Sequence, residues 1–175
     1  MQIHLESAKK IGRKIGINAD NGYAVAIILA LIIISSVIAG YYLVLRPQAE
    51  PYNTLYLLDA QKKAVDYPVI LVANQNSTFN VYVDVVNHMG QTENYQVQMK
   101  ITKYLFTLPV EVDQPNQIYS TGNLENGKTW ETNASVTENT PGNYSVVFEL
   151  WQKNPTTQNY EFTYNYCVLN IQVIN

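Results

Sequence analysis

The sequence predicts an all-β, immunoglobulin-like sandwich of about seven or eight strands, tethered to one N-terminal transmembrane α-helix. Three observations predict it. An apolar run from Tyr23 to Leu45 lies in a stretch with no charged residue between Asp20 and Arg46. Downstream, apolar residues recur at every second position in short stretches separated by Pro, Gly and Asn. Cys167 is the one cysteine, so no intrachain disulfide can form and the downstream part must fold on its core alone.

These observations divide the chain into a basic leader (1–22), a span (23–45), a short linker (46–52) and a β domain (53–175). At 1.5 Å per residue the span reaches roughly 34 Å as a helix, enough for a hydrocarbon core of about 30 Å. Residues 1–49 carry five basic against two acidic residues, +3, and residues 50–175 carry six against twelve, −6. Lys9, Lys10, Arg13 and Lys14 precede the span and Arg46 follows it. The positive-inside rule then places the N-terminus in the cytoplasm and the β domain outside the cell membrane. An acidic exterior domain gives no reason to expect nucleic acid binding. Folding outside the cell without a disulfide suits an archaeal envelope.

In the leader, Leu5, Ala8, Ile11 and Ile15 share one helical face, with the basic residues mostly elsewhere. This reads either as an amphipathic helix in the headgroup layer or as a frayed tail that obeys the topology rule. Three readings compete for the span. Val37-Ile38-Ala39 before Gly40 resembles a signal-peptide cleavage site, but the apolar run is long for a signal. Lys14-Ile15-Gly16 is a loose version of a pilin processing site. An uncleaved anchor fits the length best. Tyr23, Tyr41 and Tyr42 sit where interfacial aromatic belts belong. Ala26, Ala30, Ser36 and Gly40 fall on one stripe, where small residues let a second membrane helix approach. Arg46-Pro47 through Pro51 then ends the helix in a short, stiff connector.

Thr54–Leu58 reads as the first strand and Tyr67–Ala73 as the second. Phe79, Val81, Val83 and Val85 alternate with Asn80, Tyr82 and Asp84. Asn87-His88-Met89-Gly90 follows as a turn. Tyr95, Val97, Met99 and Ile101 alternate next, and the two strands are expected to pair through the 87–93 connection. Phe106–Gly127 is irregular, with an edge strand and loops. Lys128–Val136 and Tyr144–Leu150 are further strands. In the last, Tyr160, Phe162, Tyr164 and Tyr166 hold one parity and Leu169, Ile171 and Val173 the other, so a β-bulge is expected near Tyr166–Val168.

The residue inventory offers little reaction chemistry. A blue-copper centre needs two His, a Cys and usually a Met. His88, Met89, Met99 and Cys167 are one His short, since His4 lies across the span. Zinc fails on the same count. No nucleophile elbow, phosphate-cradling loop or placed carboxylate pair is readable, so no catalytic residue, metal or cofactor is assigned. Trp130, Trp151, Tyr160, Tyr164 and Tyr166 read either as a glycan- or partner-binding face or as core filling, and core filling is preferred. Asn76, Asn133 and Asn143 each open an N-glycosylation sequon, whereas Asn154 is excluded by Pro155.

Four stretches carry a family resemblance: Asp66-Tyr67-Pro68-Val69; Val81–Val86 into Asn87-His88, where Met89 replaces the Glu usual in the family; Gly127-Lys128-Thr129-Trp130-Glu131; and Pro141-Gly142-Asn143-Tyr144 leading to Phe148-Glu149-Leu150-Trp151. On these, roughly residues 55–175 resemble the archaeal membrane-protein family defined by DUF1616, a domain of unknown function. The resemblance implies an archaeal source, a membrane anchor and an external sandwich, and no activity. The expected role is a non-enzymatic, single-pass accessory or structural subunit of a membrane complex, or an envelope anchor on the surface-layer side. The rivals are a pilin-like or archaellum-stator-like subunit and a scaffold subunit of a membrane oxidoreductase.

Overall fold

A computed structural model describes residues 22–45, 50–103 and 105–175. Lys9, Lys10, Arg13, Lys14 and Arg46 lie outside the described residues, as do most of the leader and residues 47–49 of the linker.

Helix α1, Gly22–Gly40, continues as a π-helical turn over Tyr41–Leu45. Gly22–Val44 is long and apolar enough to cross a membrane. Its large apolar side chains are exposed on all sides, which suits a helix whose solvent is lipid. Ser36 Oγ donates back to the Ile32 carbonyl at 2.7 Å, so its hydroxyl is satisfied within the helix. Tyr41 and Tyr42 pack edge to face, 5.6 Å between centroids.

Residues Glu50–Asn175 form a separate compact unit. It contains β1 (Tyr52–Leu58), β2 (Ile70–Val72), β3 (Thr78–His88), β4 (Glu93–Lys103), β5 (Gln117–Leu124), β6 (Thr129–Thr137), β7 (Gly142–Lys153) and β8 (Tyr160–Ile174). One sheet has the order β1-β3-β6 and the other β2-β8-β7-β4-β5. This is the immunoglobulin plan, with β3 between β1 and β6 and with β4, β7 and β8 in the facing sheet. All named pairings are antiparallel except β2 with β8. Val81, Val83 and Val85 of one sheet and Val97, Phe148 and Leu150 of the other belong to the same buried core. Each such side chain contributes roughly 1.5–3 kcal/mol by leaving water.

Three expectations are corrected. First, β3 and β4 do not pair: β1 and β6 flank β3, and β5 and β7 flank β4. Alternation marks a strand but not its neighbour, and the 89–92 connection carries the chain from one sheet to the other. Second, the strand expected over Tyr67–Ala73 shortens to Ile70–Val72. It pairs with the end of β8, while the Tyr67 hydroxyl donates to the Leu57 carbonyl at 2.7 Å. Third, the bulge comes earlier. Glu149 pairs with Tyr166 and Trp151 with Phe162, so β8 carries two extra residues across Thr163–Asn165. Two residues preserve the strand's phase. The even-numbered aromatics therefore lie on the outer face throughout, and Leu169, Ile171 and Val173 on the inner.

Candidate functional site

Asn87 organises the crossing from β3 to β4. It is fully buried, and its amide is saturated. Nδ2 donates to the carbonyls of Gln91 (2.8 Å) and Leu124 (2.7 Å), while Oδ1 accepts from Met89 N (2.9 Å) and the Tyr95 hydroxyl (3.3 Å). Burial pushes the Tyr95 hydroxyl up to about 12, which keeps it a donor. His88, read as part of the turn, ends β3 and stacks on Tyr52 at 4.7 Å.

Each outer face carries a charged cluster. On the five-stranded sheet, Lys100 and Glu149 form an ion pair of 2.7 Å with side chains 5% and 0% exposed. Glu149 also accepts from Val110 N (2.5 Å) and Trp151 Nε1 (3.2 Å), and Lys100 donates to the Val110 carbonyl (2.9 Å). The connection between β4 and β5 is thereby pinned over this face at Val110. On the three-stranded sheet, Asp84 lies directly across from Glu131. Asp84 is buried, and its Oδ1 has no hydrogen-bond partner. Desolvation raises its pKa; Glu131 adds to the rise, and the Tyr56 hydroxyl and Lys62 oppose it. Lys62 reaches Glu131 at 2.7 Å and lies over the Tyr82 ring at 4.7 Å. Alternation puts Asp84 on the outward parity of β3 and Lys100, between Met99 and Ile101, on that of β4, but carries no sign of their burial. Glu149, a lone charge inside Val146–Trp151, was the readable signal.

The edge of β1 facing β8 is capped by side chains. The carbonyls of Asn53, Leu55 and Leu57 accept from Asn165 Nδ2 (3.2 Å), Cys167 Sγ (3.5 Å) and the Tyr67 hydroxyl. Such capping blunts an edge that could otherwise recruit another strand. Burial pushes the Cys167 thiol up to about 11, which holds it in the S–H form that this contact requires. Met99 is fully within the core. Among the described residues, no three His, Cys, Asp or Glu side chains converge on a metal position.

The aromatic residues divide. Trp130 packs against the core. Trp151, Phe162 and Tyr164 form a row on the outer face, with centroids 5.6 and 5.2 Å apart. Tyr160 anchors to Asn94 through its hydroxyl (2.8 Å). Tyr164 sits in the bulge at φ 65° and is 82% exposed, while Tyr166 is exposed farther along. A bulky residue in the left-handed region is strained by roughly 1–3 kcal/mol. Beside this row lies a groove of about 530 Å³ at the pole where the chain enters the sandwich, with Pro51, Asn53, Gln152, Asn154 and Phe162 in its lining.

Asn76, Asn133 and Asn143 are all exposed. Asn76 and Asn143 lie toward the opposite pole, where Asn74 N bonds Asn139 Oδ1, and Asn133 lies midway along β6. On the helix, Ile28, Ser35, Ser36 and Ala39 line a shallow depression. At 100° per residue this lies largely on the side opposite Ala26 and Ala30, and Ser36 is the residue it shares with the predicted stripe.

No curated protein matches the chain in sequence. Among solved structures, it is similar to the CARDB domain of the PF1109 protein from Pyrococcus furiosus, crystallised with di-metal ions. The identity is 13% and the TM-score 0.47, with coverage of 73% of this chain and 96% of that one. The solution structure of the same domain gives 14%, 0.46, 73% and 98%. A β-glucosidase from Listeria innocua in complex with glucose gives 11% and 0.46, and the match covers 73% of this chain but 17% of the enzyme. The model of the domain of unknown function DUF1616 matches residues 46–172. With that match running over most of its length, the chain belongs to the DUF1616 family.

Proposed function

We propose that the protein is a non-enzymatic, single-pass membrane protein whose β domain stands outside the cell and binds another protein. It serves as an accessory subunit of a membrane complex or as an envelope anchor. The observation that carries this reading is the helix Gly22–Val44, apolar on every side and joined to an immunoglobulin-like domain. The leader's basic residues favour a cytoplasmic N-terminus. The helix offers a partner helix two narrow surfaces, the Ala26–Ala30–Gly40 side and the Ser35–Ala39 depression. The exposure of Asn76, Asn133 and Asn143 supports N-glycans on the external domain.

Purification from native membranes in mild detergent tests the reading. A stoichiometric partner is expected, and replacing Ala30 and Gly40, or Ser35 and Ala39, with Leu is expected to release it. A clean monomer would overturn the proposal. Proteinase K added to intact cells is expected to remove the β domain and spare the leader, which checks orientation separately. A mass decrease on enzymatic removal of N-glycans checks the sequons.

A further inference from the structure

We propose that the groove at the chain-entry pole of the sandwich is a binding site for a neutral oligosaccharide, an activity independent of the protein partner invoked above. The groove draws on both sheets. Tyr52 and Asn53 of β1 and Met89 after β3 line one side, and Gln152 of β7 with Phe162 and Asn165 of β8 line the other. Its volume, about 530 Å³, falls within the roughly 300–1,000 Å³ of small-molecule sites. The two extra residues of β8 fall in this wall.

The lining chemistry selects the ligand class. Asn53 and Asn165 bond each other and Asn154 is held by Glu161, Thr156 N and Thr157 N, which leaves Gln152, a neutral amide able to donate and accept, to meet the sugar hydroxyls. The charged lining residues are Lys153 and Glu161, which cancel. Glu161 already accepts from Asn154 Nδ2 at 2.7 Å. The lining therefore carries no net charge that would select an anion or a cation. Phe162 continues into the outer aromatic row through Trp151 and Tyr164, and such rings pack against the C–H faces of a pyranose. The rival occupant, a peptide adding as a strand, meets an edge whose carbonyls at Asn53 and Leu55 already accept side-chain donors.

The test uses the full chain in a sugar-free zwitterionic detergent. Saturation-transfer NMR is run with cellotriose, maltotriose, mannotriose and triacetylchitotriose as probes at millimolar concentration. At least one sugar is expected to receive saturation and to change Trp151 fluorescence. Loss of one neutral hydrogen bond in Gln152→Ala weakens that sugar about fivefold. Loss of the aromatic neighbour in Tyr164→Ala, a change at an exposed position, weakens it about as much. Asn76→Gln, at the opposite pole, leaves affinity unchanged. Failure of all four sugars, or binding by Gln152→Ala and Tyr164→Ala as tight as that of the native chain, overturns the proposal. Capture of an extended Thr-Val repeat peptide in place of the sugars overturns it in favour of strand addition.

Discussion

The two outer faces of the sandwich carry ion pairs of the same length and opposite standing. Lys100–Glu149 and Lys62–Glu131 are both 2.7 Å. The first is sealed beneath Val110 and surrounded by donors and acceptors, whereas the second has side chains 53% and 36% exposed. In the first, low dielectric makes the removal of one partner costly, because the other stays buried and charged. In the second, water and salt take over whatever partner is lost. Separation alone therefore says little about what a pair contributes. Beside the exposed pair, Asp84 adds a third arrangement, a carboxylate that is buried but half-satisfied.

The largest expected effect is at the sealed pair. Glu149→Ala leaves Lys100 and Val110 N without their acceptor and should cost about 3–5 kcal/mol, measured by chemical denaturation of the full chain in detergent. Combining Lys100→Met with Glu149→Leu should recover part of that loss. About 1–3 kcal/mol should remain for the orphaned polar groups of Val110. A double variant as unstable as the single one would mean that the charges themselves hold the loop.

Asp84→Asn comes next, and its sign is opposite. Asp84 binds its proton more tightly folded than unfolded, so native stability falls as pH rises from the ordinary value of 3.8 through the raised folded value. Asn removes that fall. The variant should be more stable than the native chain at neutral pH and level with it in acid, as thermal midpoints across pH 3 to 7 can check. A wild-type pH profile equally flat over this range would show that Asp84 finds a partner in solution.

The smallest effect belongs to Lys62→Ala. Its thermal midpoint should match that of the native protein within error, and raising ionic strength should leave both unchanged. A clear loss would make the Lys62 contact with Tyr82, and not the ion pair, the thing to explain.

Much of the strand content was legible because alternation is local. The Phe79–Val85 and Tyr95–Ile101 patterns located β3 and β4, yet could not say that they belong to different sheets. That choice rests on a buried Asn87 whose four hydrogen bonds reach as far as Leu124. Lys100 falls on the outward parity of the Tyr95–Ile101 alternation, but outward is not the same as wet once the segment carrying Val110 covers the face. The aromatic row was legible as a change of parity in β8. Its meaning reversed in three dimensions, because the bulge spans two residues and keeps the aromatics outside. The candidate groove was not legible, since its walls come from residues about a hundred positions apart.

The parallel contact of β2 with β8 also has a mechanical consequence. Ladder bonds join Ile70–Val72 to Gln172–Ile174, with Gln172 N on the Val69 carbonyl and Ala73 N on the Ile174 carbonyl extending them. Tension applied across residues 69 and 175 draws β2 backward and β8 forward along their common axis. Those bonds are then loaded side by side, in shear, and must yield together, whereas an antiparallel pair pulled from one end would unzip a bond at a time. Three residues of strand thus act as a clasp against pulling.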